Sequence, residues 1–114
     1  MFDGQPKQII IYETPTGAQP LGKWMDKLRD AETIARLNER IDRLEQGNPG
    51  DYKAVGAGIY ELRIDYGPGF RLYFAFAGQQ IILLLCGGDK STQARDIQRA
   101  RKYWQDYQQR HRPG

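Results

Sequence analysis

The run IILLLC, residues 81–86, constrains the fold more than any other stretch, because all six of its positions are apolar. Six residues are too few to span a membrane, which needs about 20, and they suit a β-strand that is covered on both faces. Gly87 and Gly88 follow, and then the polar segment DKSTQ. Glycines allow sharp backbone turns. The pattern predicts a central strand that ends at the two glycines and delivers Lys90 to the start of a helix.

Two alternating stretches precede this strand. IYELRIDY, residues 59–66, and FRLYFAFA, residues 70–77, each alternate between two faces and are separated by Gly-Pro-Gly. This is the pattern of an antiparallel hairpin with a tight turn. If Tyr66 pairs with Phe70, then Asp65 faces Arg71 and Arg63 faces Tyr73 on one side of the sheet. We expect that side to be open, because the other side carries the larger apolar residues.

The remaining segments complete an α+β pattern. QIIIYE, residues 8–13, predicts a first strand, and Leu21 to Leu28 have helical spacing. Asp30 is a good N-cap for a second helix that ends near Gly47, whereas DYKAVGAG, residues 51–58, has no period and reads as a loop. With a last helix from about Ser91 or Thr92, the order is β-α-α-β-β-β-α. We predict one α+β domain over residues 1–114, with a mostly antiparallel sheet and helices on one face.

The charge of the chain is uneven. Residues 1–89 contain 10 Lys/Arg and 12 Asp/Glu, whereas residues 90–114 contain 7 Lys/Arg and 2 Asp/Glu, a net charge of +5. A basic end favours an anionic partner such as nucleic acid. The single cysteine, Cys86, fits a reducing compartment and a buried position. No signal-peptide or membrane-spanning pattern is present, so we expect a cytoplasmic protein that does not act on membranes.

Several basic residues are placed to meet at one site. Arg63, Arg71, Lys90 and Lys53 could converge on a phosphate, and Tyr73 could stack on a base or donate a hydrogen bond. A helix N-terminus beside Lys90 would add to the attraction for anions. The alternative is that the arginines form ordinary surface ion pairs with acidic neighbours, and that the other residues are merely solvated.

The residues that other common kinds of active site require are missing from the sequence. One histidine, His111, and one cysteine cannot make a zinc site by themselves. His111 lies three residues from the last residue of the chain, which is a poor place for a general base. No P-loop, dinucleotide-binding or nucleophile-elbow motif occurs.

A combination of motifs resembles a known family. GNPGD (residues 47–51), ELRIDYGPGFR (61–71), LLLCGGDKSTQ (83–93) and the following DI..A pattern closely resemble addiction-module killer proteins, the phage-derived HigB-like branch of the RelE/ParE toxin superfamily. The likeness runs over residues 35–104, and WMDKLRD (24–30) fits as well. The resemblance implies a RelE-like fold and the toxin of a type II toxin–antitoxin system, neutralised by a helix-turn-helix antitoxin.

The resemblance also implies a chemistry. RelE-like toxins enter the ribosomal A site and cleave mRNA without metal or cofactor, by attack of a ribose 2′-OH on the adjacent phosphate. Arg71 corresponds to the family's arginine on the middle strand, the stabiliser of the transition-state phosphate, and Lys90 to a charge stabiliser or acid. Arg63 and Lys53 correspond to preceding basic positions, with Arg63 taken as catalytic and Lys53 as RNA-binding.

Two questions stay open from the sequence. Some relatives carry a tyrosine or histidine near the chain end as acid or base, but QARDIQRA, residues 93–100, has neither. The acid and the base are therefore unassigned, and a ParE-like toxin that binds and inhibits DNA gyrase without catalysis is the alternative function.

In the basic C-terminal segment we expect Arg99, Arg101 and Lys102 to contact ribosomal RNA phosphates.

Overall fold

The structure is a computed structural model that describes residues 2–112. Its elements in chain order are β1 (Gln8–Ile11), α1 (Pro20–Asp26), α2 (Ala31–Glu45), β2 (Tyr52–Gly56), β3 (Ile59–Ile64), β4 (Phe70–Gly78), β5 (Ile81–Asp89) and α3 (Gln93–Arg110). A 3-10 turn, Lys90–Thr92, joins β5 to α3. The α+β class and the element order predicted from the sequence are confirmed, with one additional strand.

The strands form one sheet in the order β1-β5-β4-β3-β2. All neighbouring pairs are antiparallel except β1 and β5, which run parallel. Residues 82–88 of β5 are buried, as the apolar run predicts for a strand with a neighbour on each side. The strand does not stop at the glycines but continues through them to Asp89.

The segment predicted to be a loop contains the edge strand β2. It pairs with β3, and its register shifts at a bulge between Ala54 and Gly56. Most of its residues are exposed, so burial imposes no apolar alternation on the sequence. Edge strands of this kind leave no periodic signal, which explains why the prediction was wrong.

The register of the β3–β4 hairpin differs from the predicted one by two residues. Ile64 pairs with Phe70, so Arg63 lies opposite Arg71 and Glu61 lies opposite Tyr73. The connection is longer than a minimal turn because it closes with its own hydrogen bonds, from the Tyr66 N–H to the Ile64 carbonyl and from the Gly69 N–H to the Tyr66 carbonyl. A two-residue shift preserves the side of the sheet on which each residue lies.

The helices cover both faces of the sheet, and the prediction of one covered face is wrong. Leu21 of α1 and Leu37 and Leu44 of α2 share a buried cluster with one side of the strands. Ala100 of α3 shares another with Tyr73 and other residues on the opposite side. The face predicted to be open is therefore largely closed by α3, and the cleft described below lies at its end.

The start of α2 follows the predicted capping. Asp30 is the N-cap, and its carboxylate accepts hydrogen bonds from the Glu32 N–H and the Thr33 hydroxyl, at 3.3 and 2.8 Å. These bonds satisfy donors that the first turn of a helix leaves free, and they oppose the helix dipole with a negative charge.

Candidate functional site

A cleft of about 470 Å³ lies at the end of the sheet where β3 finishes and β4 begins. Three predicted site residues line it together: Arg63, Arg71 and Lys90. The turn between β3 and β4 forms one wall, and Asp51 and Asp65 also line the cleft. The sequence did not single out these two aspartates as site residues. The three cations come from different parts of the chain, and the antiparallel sheet brings them to one place.

The strand pairing explains how the arginines meet. Arg63 on β3 and Arg71 on β4 are paired in register, and Gly88 on β5 pairs with Arg71 from the other side. Side chains of directly paired residues project on the same face. The Lys90 side chain comes from the turn just past the end of β5 and is exposed. A Cβ at Gly69 would be 3.4 Å from both Arg71 Nη1 and Lys90 Cβ, so the turn lies close against both cations.

A buried carboxylate holds the two arginines. Glu61 is fully buried, and its Oε1 accepts a hydrogen bond from Arg63 Nε at 3.2 Å and lies 3.8 Å from Arg71 Nε. Its Oε2 accepts from the Tyr73 hydroxyl at 3.1 Å and from Gln93 Nε2 at 2.7 Å. A carboxylate with both oxygens occupied and no solvent access is suited to positioning the arginines, not to taking a proton from a substrate.

The buried position of Tyr73 is incompatible with the stacking role expected for it. Its side chain is fully buried under α3, so its ring cannot reach a base. Burial, followed by the negative charge of Glu61, raises the pKa of Tyr73 far above its ordinary value. The hydroxyl therefore stays protonated and serves as a donor to Glu61.

The backbone on the Asp51 side of the cleft is fixed by Arg40 of α2. This guanidinium donates to the Arg63 carbonyl, to the Pro49 carbonyl at 2.9 Å and to the Asp51 carbonyl at 3.1 Å. Partial burial, as the larger cause, and the charge of Arg43 lower the pKa of Arg40 from its ordinary value. In sequence the residue is one of the arginines on an amphipathic helix, and its helical spacing carries no sign of this clamp.

The glycines of β5 are needed for close approach on both sides. Neither has a positive φ. A Cβ at Gly87 would lie 2.5 Å from ring carbons of Trp24, and a Cβ at Gly88 would overlap the carboxylate of Asp96. Asp96 is buried and accepts a hydrogen bond from the Thr92 hydroxyl. The pair thus lets Trp24 pack on one face of the strand and the start of α3 on the other.

Lys90 is held by a capping box. The Asp89 carboxylate accepts from the Ser91 N–H at 2.8 Å, and the Thr92 hydroxyl accepts from the Asp89 N–H at 3.3 Å. This reciprocal arrangement fixes the turn that carries Lys90. The predicted position of Lys90 at the start of a helical segment is confirmed.

The residues expected to bind RNA elsewhere are spread over the molecule. Lys53 is exposed on the edge strand β2 but does not line the cleft. Arg99 contacts the Tyr103 hydroxyl at 3.2 Å, and Arg101 donates to the Val55 carbonyl at 3.4 Å. Lys102 is exposed on α3. Arg101 therefore has a structural contact between α3 and β2 besides any role toward RNA.

Cys86 and His111 lie away from the cleft. Cys86 is buried as expected, and burial raises the pKa of its thiol to about 12. His111, just past the end of α3, stacks on Tyr107 at 3.9 Å between ring centroids. Within residues 2–112, no three His, Cys, Asp or Glu side chains are grouped so that they could hold a metal ion. No helix in the same range is long and apolar enough to cross a membrane.

The architecture and the cleft together define a small α+β protein with a preorganised cationic site. The family model described as "Phage derived protein Gp49-like" matches residues 23–105, and the chain belongs to this family of toxin-like proteins. The chain is also 50% identical over 78 residues to a protein of Haemophilus influenzae (strain ATCC 51907 / DSM 11121 / KW20 / Rd), described as "Uncharacterized protein". That match covers 68% of this chain and 79% of the relative.

Proposed function

We propose that this protein is the toxin of a type II toxin–antitoxin system, of the HigB-like branch of the RelE/ParE superfamily, and that it cleaves mRNA on the ribosome. The observation that carries the proposal is the cleft lined by Arg63, Arg71 and Lys90, behind which the buried carboxylate of Glu61 accepts a hydrogen bond from Arg63 and lies 3.8 Å from Arg71 Nε. Preorganised cations stabilise the charge that develops on a phosphate during cleavage.

The reaction proposed is a transesterification within the RNA. The 2′-oxygen of one ribose loses its proton and bonds to the adjacent phosphorus, while the bond from phosphorus to the 5′-oxygen of the next nucleotide breaks. The products are a 2′,3′-cyclic phosphate and a 5′-hydroxyl. Arg71 and Arg63 stabilise the phosphorane charge, and Lys90 donates a proton to the departing 5′-oxygen.

The proton acceptor comes from the carboxylates on the cleft wall. Asp51 and Asp65 line the cleft, whereas Glu61 behind it is buried with both of its oxygens occupied. The acceptor must come within hydrogen-bond reach of the 2′-OH. We therefore assign this role to one of the two cleft aspartates. Asp51→Asn and Asp65→Asn variants would distinguish them, because only the substitution that removes the proton acceptor should strongly lower the cleavage rate.

The family membership supports the proposal of a protein partner. Toxin-like proteins of this kind are expected to be neutralised by a cognate antitoxin, and we propose a helix-turn-helix antitoxin as the partner. The 30S A site and its mRNA are the proposed targets, and the protein is proposed to act in the cytoplasm.

Mapping of RNA 5′ ends in cells tests the function. Expression of the wild-type chain should produce new 5′-hydroxyl ends within translated reading frames, at positions in phase with codons. Growth arrest without new ends, together with inhibited DNA supercoiling, would instead support the gyrase-binding alternative. Coexpression of the wild type with its antitoxin should abolish both arrest and new ends.

A further inference from the structure

A second cleft, of about 310 Å³, lies between α1, the start of α3 and the loop after β1. We call it the α1–α3 groove. Its basic residues are Lys23 on α1, Lys27 at the C-cap of α1, and Arg95 and Arg99 on α3. No Asp or Glu is among the described residues that line it. None of the four was assigned above to the reacting cleft.

The arrangement of these cations has a cost for folding. In each pair the two basic residues are four positions apart, and Lys27 at the C-cap of α1 still has helical backbone angles, so like charges lie side by side on one face. Asp96, buried at 1% exposure, lies 3.6 Å from Arg95 and 3.7 Å from Arg99 and offsets one of the four charges. The remaining positive charge has no neutralising residue in the lining, which is typical of a site for an anion.

The groove lies at the same end of the sheet as the reacting cleft. β1 and β5 run parallel, so the loop after β1 lies at the same end of the sheet as Lys90. Gly88 pairs with Arg71 in the reacting cleft, and its neighbour Gly87 lies directly under Trp24, which lines the groove. The two basic clefts are therefore on either side of the junction between β5 and α3.

We propose that the α1–α3 groove binds phosphates of the same single-stranded RNA whose reacting phosphate lies between Arg63, Arg71 and Lys90. This inference rests on the proposed function. The location of both clefts at one end of the sheet favours RNA over an acidic peptide, because an RNA strand carries one charge per nucleotide and extends past its scissile bond. Tyr103 already stacks on Tyr12 at 5.0 Å between ring centroids, so half-buried Trp24 is the ring of the groove that offers a base a flat surface.

The test is salt-dependent RNA binding by the purified chain. The probes are a fluorescent oligouridylate of about 12 nucleotides, long enough to occupy both clefts, and a dinucleotide that fits only one. Both carry 2′-O-methyl groups, so that no cleavage interferes. The variants are Lys23→Gln/Lys27→Gln and Arg95→Gln/Arg99→Gln. The control, Arg36→Gln/Arg43→Gln, removes two charges from α2, outside both clefts.

For the long probe, each groove variant should lower the slope of log affinity against log salt by about 1.4, because each lost phosphate contact on a single strand accounts for about 0.7. Dinucleotide binding should keep the wild-type slope, and the control should leave both slopes unchanged. If the groove variants bind the long probe with the same salt slope as the control, the proposal is overturned. The same holds if those variants keep that slope but lose binding of a polyglutamate peptide, because the groove would then be a site for an acidic peptide. A chain that shows the expected slopes but never cleaves mRNA would contradict the proposed function alone.

Discussion

At the scale of single residues, the side chains in and behind the cleft differ in how far they are exposed to solvent. Lys90 is exposed, whereas Arg71 is only 8% exposed and Glu61 behind it is fully buried. Substitutions at these positions should therefore have different effects on activity and on stability.

Lys90→Ala should lose activity without losing stability. Removing one preorganised charge-stabilising group typically costs about 100-fold or more in rate. Because the side chain is exposed, the free energy of unfolding should change by no more than about 0.5 kcal/mol. Lys90→Arg keeps the charge but replaces a compact donor with a planar one, so it should retain part of the rate. Single-turnover cleavage on programmed ribosomes and urea unfolding measure the two effects. A Lys90→Ala rate within about twofold of wild type, equivalent to ~0.4 kcal/mol of barrier, would rule out the role of Lys90.

Glu61→Gln should destabilise the fold. The new amide N–H₂ would face Arg63, Tyr73 and Gln93, which are themselves hydrogen-bond donors to Glu61. The substitution would also leave the largely buried Arg71 without its negatively charged partner. Losing one partner of a buried ion pair typically costs about 3–5 kcal/mol. The matched control is Glu32→Gln, because its pair with Arg36 is exposed and should contribute no more than about 1 kcal/mol. Equal urea midpoints for the two variants would contradict the positioning role.

At the scale of elements, the junction between β5 and α3 determines where the cleft forms. Strand β5 places Gly88 opposite Arg71, and the buried Asp96 of α3 packs against the Gly88 backbone. Strand β5 and helix α3 can approach this closely only because Gly88 has no side chain.

Gly88→Ala should disturb folding as well as activity. The added methyl group would overlap the Asp96 carboxylate and force it out of its buried position beside Thr92. Overpacking of this kind typically costs about 1–3 kcal/mol. Gly78→Ala on β4 is the control, because a Cβ there would make only ordinary contacts of 3.5 Å or more. Thermal unfolding of both variants checks this, and a Gly88→Ala protein as stable as Gly78→Ala would contradict the packing.

Alkaline pH should loosen the contact between the end of β1 and α3. The Tyr12 hydroxyl donates to Asp106 Oδ2 at 2.5 Å, and burial, aided by Asp106, raises its pKa from 10.0 to about 12. The unfolded chain then loses this proton first as pH rises. The hydrogen bond from Tyr12 to Asp106 therefore stabilises the folded chain fully below about pH 10, and this contribution to the free energy of unfolding is lost as pH approaches about 12. The difference in unfolding free energy between wild type and Tyr12→Phe should shrink over this range. A constant difference from pH 9 to 12 would show that Tyr12 is not the titrating group.

The elements also show which signals the sequence contains. The unbroken apolar run predicted the central strand, and Asp30 predicted the start of α2, because burial and capping constrain residue type directly. β2 was missed because an exposed edge imposes no pattern. The face covered by α3 was predicted to be open, although Ile97 and Ala100 needed an apolar surface to pack against. Glu61 and Tyr73 are buried polar residues that hydrogen-bond to each other, and such residues make a buried face look like an exposed one in the sequence.

At the scale of the whole molecule, the distribution of charge connects fold and function. Strand alternation pointed to Arg63 and Arg71, the position after the apolar strand pointed to Lys90, and the family resemblance pointed to all three. Glu61, Arg40 and the basic residues of the α1–α3 groove depend on which elements pack together, which spacing along the chain does not show. The fold brings two basic clefts to one end of a single sheet, although residues 1–89 as a whole have a small net negative charge.

The most direct test of the central claim is cleavage of mRNA by the purified chain on ribosomes programmed with a defined message. We predict cleavage at the codon in the A site, with a 2′,3′-cyclic phosphate on one product and a 5′-hydroxyl on the other. The same mRNA free in solution should stay intact, and Lys90→Ala should cut the ribosome-bound message at least about 100-fold more slowly than the wild type. If folded wild-type protein binds programmed ribosomes and leaves the mRNA whole, then the cleft formed by Arg63, Arg71 and Lys90 is not the active site of a ribosome-dependent endonuclease.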